Sequence, residues 1–319
     1  MSGGAPLRIP GSVPSTRLGL GAIPSGPARR TELPEIYEAQ PGDAMPSICI
    51  IGDSGTGKTY QLGLLIAHLR KMGKSTIVLS VESKHQGLTP HKPLILPIGA
   101  PVKLTDGSLR MPTWTERYHR LIEFRDQLRI GKFREHAGLP VGAILTDGMT
   151  EMGNVVKGYK FDNMPMAGAS GQPNVLRAYG EIGADLLDLM AALKEAASDA
   201  GKAYGMNPIA VVATCVETLK DGKFQPLLPG NIAPDNFAQQ FEVVLRLAVE
   251  SAGPNTTEMQ YVAHTMPGEV FLPQTGRWIA KSPEGFPAKI VNPNLGEIFE
   301  QVTKHYRGES LTVESNKGA

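Results

Sequence analysis

Cysteine, long apolar runs and net charge are all scarce in this sequence. Only two of its 319 residues are cysteines, Cys49 and Cys215, and each lies in an apolar run typical of a buried strand. We therefore expect two buried thiols that behave as small hydrophobic side chains, and no disulfide framework. No apolar stretch approaches the ~18 to 20 residues that a membrane helix needs, and prolines stand where a signal peptide would have its apolar region. A cytoplasmic protein with no membrane contact is the expectation.

The positive and negative charges nearly cancel. The chain carries 32 Lys and Arg against 31 Asp and Glu, a formal net charge of +1. No strong field therefore draws the whole molecule onto nucleic acid or anionic lipid, and any DNA contact must be local. Basic residues outnumber acidic ones between residues 110 and 136. Such a run is typical of the solvated face of an amphipathic helix, and a DNA-binding stripe is the alternative.

Composition divides the chain into three parts. Residues 1–45 are rich in proline and glycine and have little periodic hydrophobicity, which predicts a flexible arm. Residues 306–319 are mostly small and polar, which predicts a flexible tail. Between them, at 46–305, apolar strands alternate with helical patterns, so we predict one α/β domain with a mainly parallel sheet flanked by helices. Short apolar runs with no helix between them, at 259–264, 270–272 and 278–281, predict antiparallel strands near the C-terminus.

Apolar periodicity predicts the elements of that domain. The helices are expected after the first strand, from a capping box at Thr113 and Glu116, through residues 182–193, and at 295–305. The parallel strands are predicted at 47–51, 76–81, 141–146, 209–214 and 242–249.

Residues 52–59 match the P-loop pattern, with the sequence Gly-Asp-Ser-Gly-Thr-Gly-Lys-Thr. A predicted strand precedes the segment and an amphipathic helix follows it, which is the context that the motif needs. Its glycines allow successive backbone N–H groups to point at phosphates, and the helix N-terminus adds the positive end of its dipole. The residues predicted to bind ATP are Gly52, Asp53, Ser54, Gly55, Thr56, Gly57, Lys58, Thr59 and the flanking Tyr60.

The motif also assigns a magnesium site. Lys58 is expected to reach the β and γ phosphates, and the Thr59 hydroxyl to bind Mg²⁺. An acidic side chain at the end of a neighbouring strand normally holds the metal from the other side, and Asp147 follows the strand at 141–146. An ordinary strand-end Asp that begins a turn is the alternative.

Hydrolysis needs a group that activates the attacking water. The residue after Asp147 is Gly148, so this group must come from elsewhere. Glu82 ends the strand at 76–81, and parallel strands converge on the ligand at their carboxyl ends, so we expect Glu82, Asp147 and Thr214 to face the nucleotide. Glu151 is the reserve candidate, and a solvated strand-end carboxylate is the alternative reading of Glu82.

Several short runs add a family resemblance. They are Ser-Val-Glu-Ser at 80–83, Asp-Gly-Met-Thr at 147–150, Leu-Pro-Gly at 228–230 and Ala-Lys at 280–281 before a closing Pro-Asn-Leu helix. With the P-loop, they make residues 46–303 resemble the RecA-like ATPases, most of all the phage-encoded group related to single-strand annealing ATPases. The resemblance implies a RecA-like core, Mg²⁺-dependent ATP hydrolysis, a homo-oligomer and action on single-stranded DNA. It also implies the host-cell cytoplasm and a single-strand-binding protein or other recombination partner.

The resemblance implies roles for individual residues. Glu82 matches the family's water-activating glutamate, and Asp147 its magnesium-side aspartate. Thr214 or Cys215 would occupy the polar sensor position, where relatives usually carry a larger side chain such as His or Gln. Lys281 matches a basic residue that such assemblies insert into the neighbouring subunit's ATP site, with Arg277 as the competing candidate and a surface lysine as the plain alternative.

RecA-like proteins bind single-stranded DNA through two mobile loops, which in this sequence correspond to residues 153–174 and 217–236. Lys157, Tyr159 and Lys160 in the first segment suit phosphate contact and base stacking. Two ordinary long loops are the alternative, although loops of this length are uncommon in compact domains unless they are functional.

Three other functions use the same phosphate site. A ring-forming motor for DNA translocation or packaging is the main alternative. A small-molecule kinase would need an Arg-rich lid, and no such motif stands out after the P-loop. A regulatory module that binds ATP without turnover is the last.

Overall fold

A computed structural model describes residues 40, 42–81, 86–136, 138–164, 166–167, 172–198, 207–230, 232–253, 256–270 and 276–310. Six α-helices occur in these ranges: α1 Lys58–Lys71, α2 Trp114–Arg129, α3 Met149–Asp162, α4 Val175–Ala197, α5 Ile232–Phe237 and α6 Leu295–Tyr306. Two 3-10 helices occur in the same described ranges, at Gln86–His91 and Ala238–Gln240. The strands are β1 Ser47–Gly52, β2 Ser75–Ser80, β3 Leu94–Pro97, β4 Val102–Lys103, β5 Leu109–Arg110, β6 Glu135–His136, β7 Leu139–Asp147, β8 Met166–Ala167, β9 Gln172–Pro173, β10 Ala210–Lys220, β11 Lys223–Pro226, β12 Val243–Ser251, β13 Met259–His264, β14 Gly268–Val270, β15 Gly276–Trp278 and β16 Lys289–Val291.

One large sheet organises the domain. Its main strand order is β3-β2-β7-β10-β1-β12-β13-β16. The first six strands of this order run parallel, and β13 and β16 add antiparallel pairs at one side. Strand β10 continues past the parallel region into a hairpin with β11, on which β15 and β14 assemble. The predicted fold class, a mainly parallel sheet with antiparallel C-terminal strands, is confirmed.

Helices cover both faces of the sheet. Strand β1 shows why: Ile48 and Ile50 belong to the apolar cluster under α1 and α6, whereas Cys49 and Ile51 belong to the cluster under α2, α3 and α4. Successive strand residues point to opposite faces, so a continuous apolar run is buried on both sides. The two apolar layers hold β1 in the middle of the molecule, where its carboxyl end presents the P-loop.

The predicted parallel strands are all present, with shifts at their ends. Strand β10 is longer than its prediction because it continues into the hairpin with β11. Strand β3 was not predicted, since its apolar run is only four residues long and ends in proline. Both cysteines are buried and free, as predicted. The capping box at Thr113 and Glu116 is present at the start of α2.

The prediction of loops at 153–174 and 217–236 is wrong for the first ten residues of each segment, and residues 165, 168–171 and 231 lie outside the described ranges. Residues 153–162 belong to α3, and residues 217–226 belong to the β10–β11 hairpin. The glycines that suggested a loop are sites of close packing in a helix: a Cβ on Gly153 would lie 2.5 Å from Pro229, and one on Gly158 would lie 2.4 Å from the Trp114 ring. Contacts with distant segments therefore explain these glycines.

The flexible arm and tail stay predictions, because residues 1–39 and 311–319 lie outside the described ranges. None of the helices in those ranges is both long and apolar enough to cross a membrane.

Two helical glycines allow a matched test of the packing. We expect Gly158→Ala to destabilise the protein by about 1–3 kcal/mol, because the added methyl group overlaps the Trp114 ring. A Cβ on Gly180, inside α4, would meet no atom within 4 Å. Gly180→Ala should therefore stabilise the protein by about 0.5–1 kcal/mol through helix propensity alone. Chemical denaturation gives both free energies of unfolding, and equal effects of the two substitutions would contradict this packing.

Candidate functional site

The P-loop bends sharply between β1 and α1. Gly55 and Gly57 adopt left-handed backbone angles, with φ of 81° and 85°, and Gly57 precedes the first residue of α1. Gly52 is confined from the side: a Cβ there would lie 2.6 Å from the carbonyl oxygen of Leu247 and 2.7 Å from the Thr56 hydroxyl. L side chains rarely adopt such angles, so this path of the backbone needs glycine at these positions.

Lys58 spans the bend. Its Nζ donates to the carbonyl oxygen of Gly52 at 2.8 Å and to that of Asp53 at 2.7 Å. Burial lowers the pKa of Lys58, and the nearby carboxylates of Asp147 and Asp53 oppose that shift. The ammonium group is thus held at the mouth of the loop, where the sequence predicts phosphate binding.

Asp147 joins three segments at the carboxyl end of the sheet. The Thr59 hydroxyl donates to its Oδ2 at 3.0 Å, and the Thr214 hydroxyl donates to its Oδ1 at 2.9 Å. The backbone N–H of Gly148 donates in turn to Thr214 Oγ1 at 2.9 Å. The structure therefore brings Thr59, Asp147 and Thr214 together, as the convergence of parallel strands predicts.

These oxygen atoms suit magnesium. Mg²⁺ prefers oxygen ligands, and it usually takes one or two protein groups together with substrate phosphates and water. A threonine hydroxyl and a carboxylate in direct contact at the mouth of the P-loop supply such a pair. Among the described residues, no group of three or more His, Cys, Asp or Glu side chains forms an all-protein metal cage.

The two candidates for the sensor position face opposite sides of the sheet. Thr214 bonds to Asp147, whereas the Cys215 thiol lies 3.4 Å from the Thr150 hydroxyl in the first turn of α3. Burial raises the pKa of Cys215 to about 12, so this thiol stays protonated at neutral pH. Thr150 also accepts from the backbone N–H of Val216. Of the two, Thr214 is therefore the one next to the metal-side carboxylate.

Glu82 and Glu151 are the two residues predicted from the sequence to activate water. Glu82 lies outside the described residues. Ser80, two residues before Glu82 in the sequence, is the last residue of β2 and pairs in register with Asp147 of β7. Glu151, the reserve candidate, lies in the first turn of α3 and accepts a hydrogen bond from Asn154 at 3.1 Å.

The two candidate basic residues for a neighbour's site lie in different places. Lys281 donates its Nζ to the carbonyl oxygen of Phe241 at 3.1 Å, just before β12 begins. Lys281 thus lies near the amino-terminal ends of the parallel strands, whereas the P-loop of the same chain follows the carboxyl end of β1. Arg277 lies on β15 with a side chain that is 76% exposed, and it pairs with Glu269. Action in another subunit stays a prediction for both.

Two of the three side chains predicted to contact DNA are already engaged within the chain. Tyr159 stacks on Tyr118 with ring centroids 3.9 Å apart, and Lys160 pairs with Asp185 at 3.0 Å. Lys157 is exposed on α3.

An ion pair beside the P-loop was missed. Arg246 on β12 bonds through two nitrogens to Glu217 on β10, each at 2.9 Å, and its guanidinium lies 4.5 Å from the Phe224 ring centroid and 5.0 Å from that of Trp278. The pair links the two strands that flank β1. No sequence pattern relates residues 217 and 246, so only the strand order shows that they meet.

Tyr60 lies in the first turn of α1, and 65% of it is exposed. It lines a cavity of about 690 Å³ beside the P-loop.

Comparison with known proteins adds little to this geometry. No family model matches the chain, and no curated protein matches it. Among solved structures, the chain is similar to a KaiC-like protein from the hyperthermophilic archaeon Pyrococcus horikoshii. The two share 10% identity over 72% of this chain and 88% of that chain, with a TM-score of 0.34. Because this likeness is so distant, the function has to be argued from the site itself.

The bonds of Thr214 lead to a prediction about the metal-side carboxylate. Thr214→Val leaves the Gly148 N–H without its acceptor and removes one of the two hydrogen bonds that hold the Asp147 carboxylate, so we expect a loss of ~1–3 kcal/mol in stability. Loss of a group that orients a metal ligand typically lowers metal affinity or activity by about 10- to 100-fold. Mg²⁺-dependent nucleotide binding should therefore weaken about tenfold or more. Calorimetry with and without Mg²⁺ measures this. Thr214→Ser, which keeps the hydroxyl, is the control, and equal binding by the Val and Ser variants would contradict the assignment.

Proposed function

We propose that this chain is a Mg²⁺-dependent ATPase of RecA-like type, which acts as a homo-oligomer on single-stranded DNA in phage-type recombination or annealing. The observation that carries the ATPase part is the contact of Thr59 with Asp147 at 3.0 Å, beside an ammonium group that already spans the P-loop. The P-loop bend, Lys58 and the two oxygen side chains of Thr59 and Asp147, which come from distant segments, lie together at one edge of the sheet and support this proposal.

Each side chain has a distinct task in this proposal. The P-loop N–H groups and Lys58 bind the triphosphate, and Thr59 and Asp147 hold the magnesium ion. When bound, that ion neutralises charge on the phosphate oxygens during phosphoryl transfer. Thr214 orients Asp147 through its hydrogen bond. Glu82 is assigned the activation of water on the family resemblance alone.

Exposed positive charge supports the DNA part. Lys157 is exposed on α3, the helix that begins directly after Asp147 and Gly148. Lys220 and Lys223 are exposed at the tip of the β10–β11 hairpin, which extends beyond the carboxyl ends of the parallel strands. These lysines lie on the side of the sheet that carries the proposed phosphate site, so single-stranded DNA bound to them would lie close to the nucleotide.

A ring-forming DNA translocation or packaging motor is the second candidate. Arg277 favours it, because a guanidinium on a side chain that is 76% exposed suits contact with a neighbour's phosphates. Negative-stain electron microscopy with ATP separates the two assemblies, since closed rings support the motor and open filaments support the recombination protein.

The ATPase claim is tested by phosphate release. We expect Lys58→Ala and Asp147→Asn each to lower turnover by about a hundredfold or more, because each removes a charged contact to the phosphates or the metal. Lys71→Ala is the matched control: it removes an exposed lysine from the last turn of the same helix. Normal turnover by Lys58→Ala would refute the proposal. ATP binding by the unaltered protein with no phosphate release would instead identify a regulatory module.

The DNA claim needs a separate measurement. We expect single-stranded DNA to stimulate the ATPase, and Lys157→Glu to weaken DNA binding and reduce its salt-dependence slope by about 0.7 for one lost phosphate contact. Lys71→Glu makes the same charge change at the far end of α1 and should leave binding unchanged. Fluorescence anisotropy over a salt series measures both slopes. Absence of DNA binding at low salt, together with absence of stimulation, would remove the nucleic-acid part of the proposal.

A further inference from the structure

Another cavity lies at the amino-terminal end of the parallel strands, away from the P-loop. Val141 and Gly142 near the start of β7, and Ile209 just before β10, form part of its lining. Its volume is about 350 Å³, at the lower end of the range for small-molecule sites. Val141 and Asp147 are six positions apart in β7, which is about 20 Å along an extended strand. The cavity is therefore separate from the proposed ATP site.

Arg134 lines this cavity with most of its hydrogen-bond donors unused. Its Nη1 donates to the carbonyl oxygen of Ala196, in the last turn of α4, at 3.0 Å. Its Nε is buried and has no hydrogen-bond partner within the part of the chain that the structure describes, and Nη2 has none there either. A guanidinium carries five N–H donors, so the chain itself uses only one of them here.

The positive charge of Arg134 is also unbalanced. By contrast, Arg129 pairs with Asp188 at 2.7 Å, and that carboxylate raises the pKa of Arg129. Burial lowers the pKa of Arg134, and no carboxylate opposes this shift. Among the described residues, Arg134 has no acidic partner. A partly buried cation without a counter-ion is unfavourable, and a bound anion relieves that cost.

Lys74 is a second cation in the lining. A Cβ on Gly142 would lie 2.9 Å from Lys74 Cβ and 3.0 Å from its Cδ, so the lysine stem crosses β7 where only glycine leaves room. Its ammonium group makes no ion pair or hydrogen bond with another residue in the described ranges. Glu135 alone is acidic among the described lining residues; it is exposed and pairs with neither cation. Positive charge therefore exceeds negative charge around the cavity.

A cap for the end of α4 is the simpler explanation of Arg134, because a cation suits the negative end of a helix. That role accounts for the bond from Nη1 to Ala196. It does not account for the unused donors of the guanidinium, or for a second unpaired cation held across Gly142 in the same cavity. The two cations together fit a ligand better than a cap.

We propose that this cavity binds a small phosphate-bearing anion, either free phosphate or a phosphomonoester, through the Arg134 guanidinium and the Lys74 ammonium group. A planar guanidinium matches the geometry of an oxoanion, and an ammonium group adds a compact point charge. The volume suits a phosphate group with a small substituent rather than a nucleic-acid strand. The site does not depend on the proposed ATPase activity.

Titration with inorganic phosphate, followed by ³¹P NMR, tests the site. The measurements use the Lys58→Ala protein as background, so that phosphate bound at the P-loop does not contribute. We expect Arg134→Met and Lys74→Met each to weaken phosphate binding about tenfold or more, because each removes a charge-assisted hydrogen bond. Lys71→Met removes an exposed lysine three positions before Lys74 and outside the lining, and it should leave binding unchanged.

Thermal unfolding in the same background separates this site from a purely structural role. Phosphate should raise the unfolding midpoint of the Lys58→Ala protein and leave that of its Arg134→Met derivative unchanged, because a ligand stabilises only the state that binds it. Without phosphate, the Arg134→Met derivative should be at least as stable as its parent, since it loses an unpaired, partly buried charge. A helix cap alone predicts a lower midpoint for that derivative and no response to phosphate in either protein.

Three results would overturn the proposal. The first is equal phosphate binding by the Arg134→Met, Lys74→Met and Lys71→Met proteins, and the second is absence of binding once Lys58 is replaced. The third comes from competition at low salt, where single-stranded DNA at the same total phosphate concentration should not displace the bound phosphate. Displacement would assign the two cations to nucleic acid instead.

Discussion

The hydrogen bonds of Asp147 are the interactions on which the rest of the site depends. Its two carboxylate oxygens accept from Thr59 at the start of α1 and from Thr214 near the end of the parallel part of β10. Three segments that are far apart in sequence therefore converge on one carboxylate. The parallel sheet makes this possible, because the carboxyl ends of β1, β7 and β10 all meet at one edge. In the proposed function, a phosphate bound at Lys58 would have the two proposed magnesium ligands, Thr59 and Asp147, beside it.

Much of this arrangement could be predicted from the sequence. The strand that carries the P-loop is an apolar run buried on both faces, and its glycine-rich turn has a pattern that few other structures share. Asp147 was found by the same logic, because it directly follows an apolar strand. These predictions succeed where local sequence and tertiary structure agree, as they do in most of the parallel sheet.

The failures share a physical cause. Gly153 and Gly158 are residues typical of loops, yet they lie inside α3. Glycine is needed there because Pro229 and Trp114 approach the helix too closely for a side chain. Tyr159 and Lys160 are residue types that often contact DNA. In this structure Tyr159 stacks on Tyr118 and Lys160 pairs with Asp185, and both partners come from other helices. In each case a distant residue decides the outcome. The pairing of Arg246 with Glu217 and the cavity lined by Lys74 and Arg134 were missed for the same reason.

A crystal structure with Mg²⁺ and a non-hydrolysable ATP analogue tests the central claim most directly. We expect the β and γ phosphates within hydrogen-bond distance of Lys58 Nζ and the P-loop N–H groups, with the metal between Thr59 and Asp147. A nucleotide bound elsewhere on the protein, with the P-loop unchanged and Thr59 still bonded to Asp147, would contradict it.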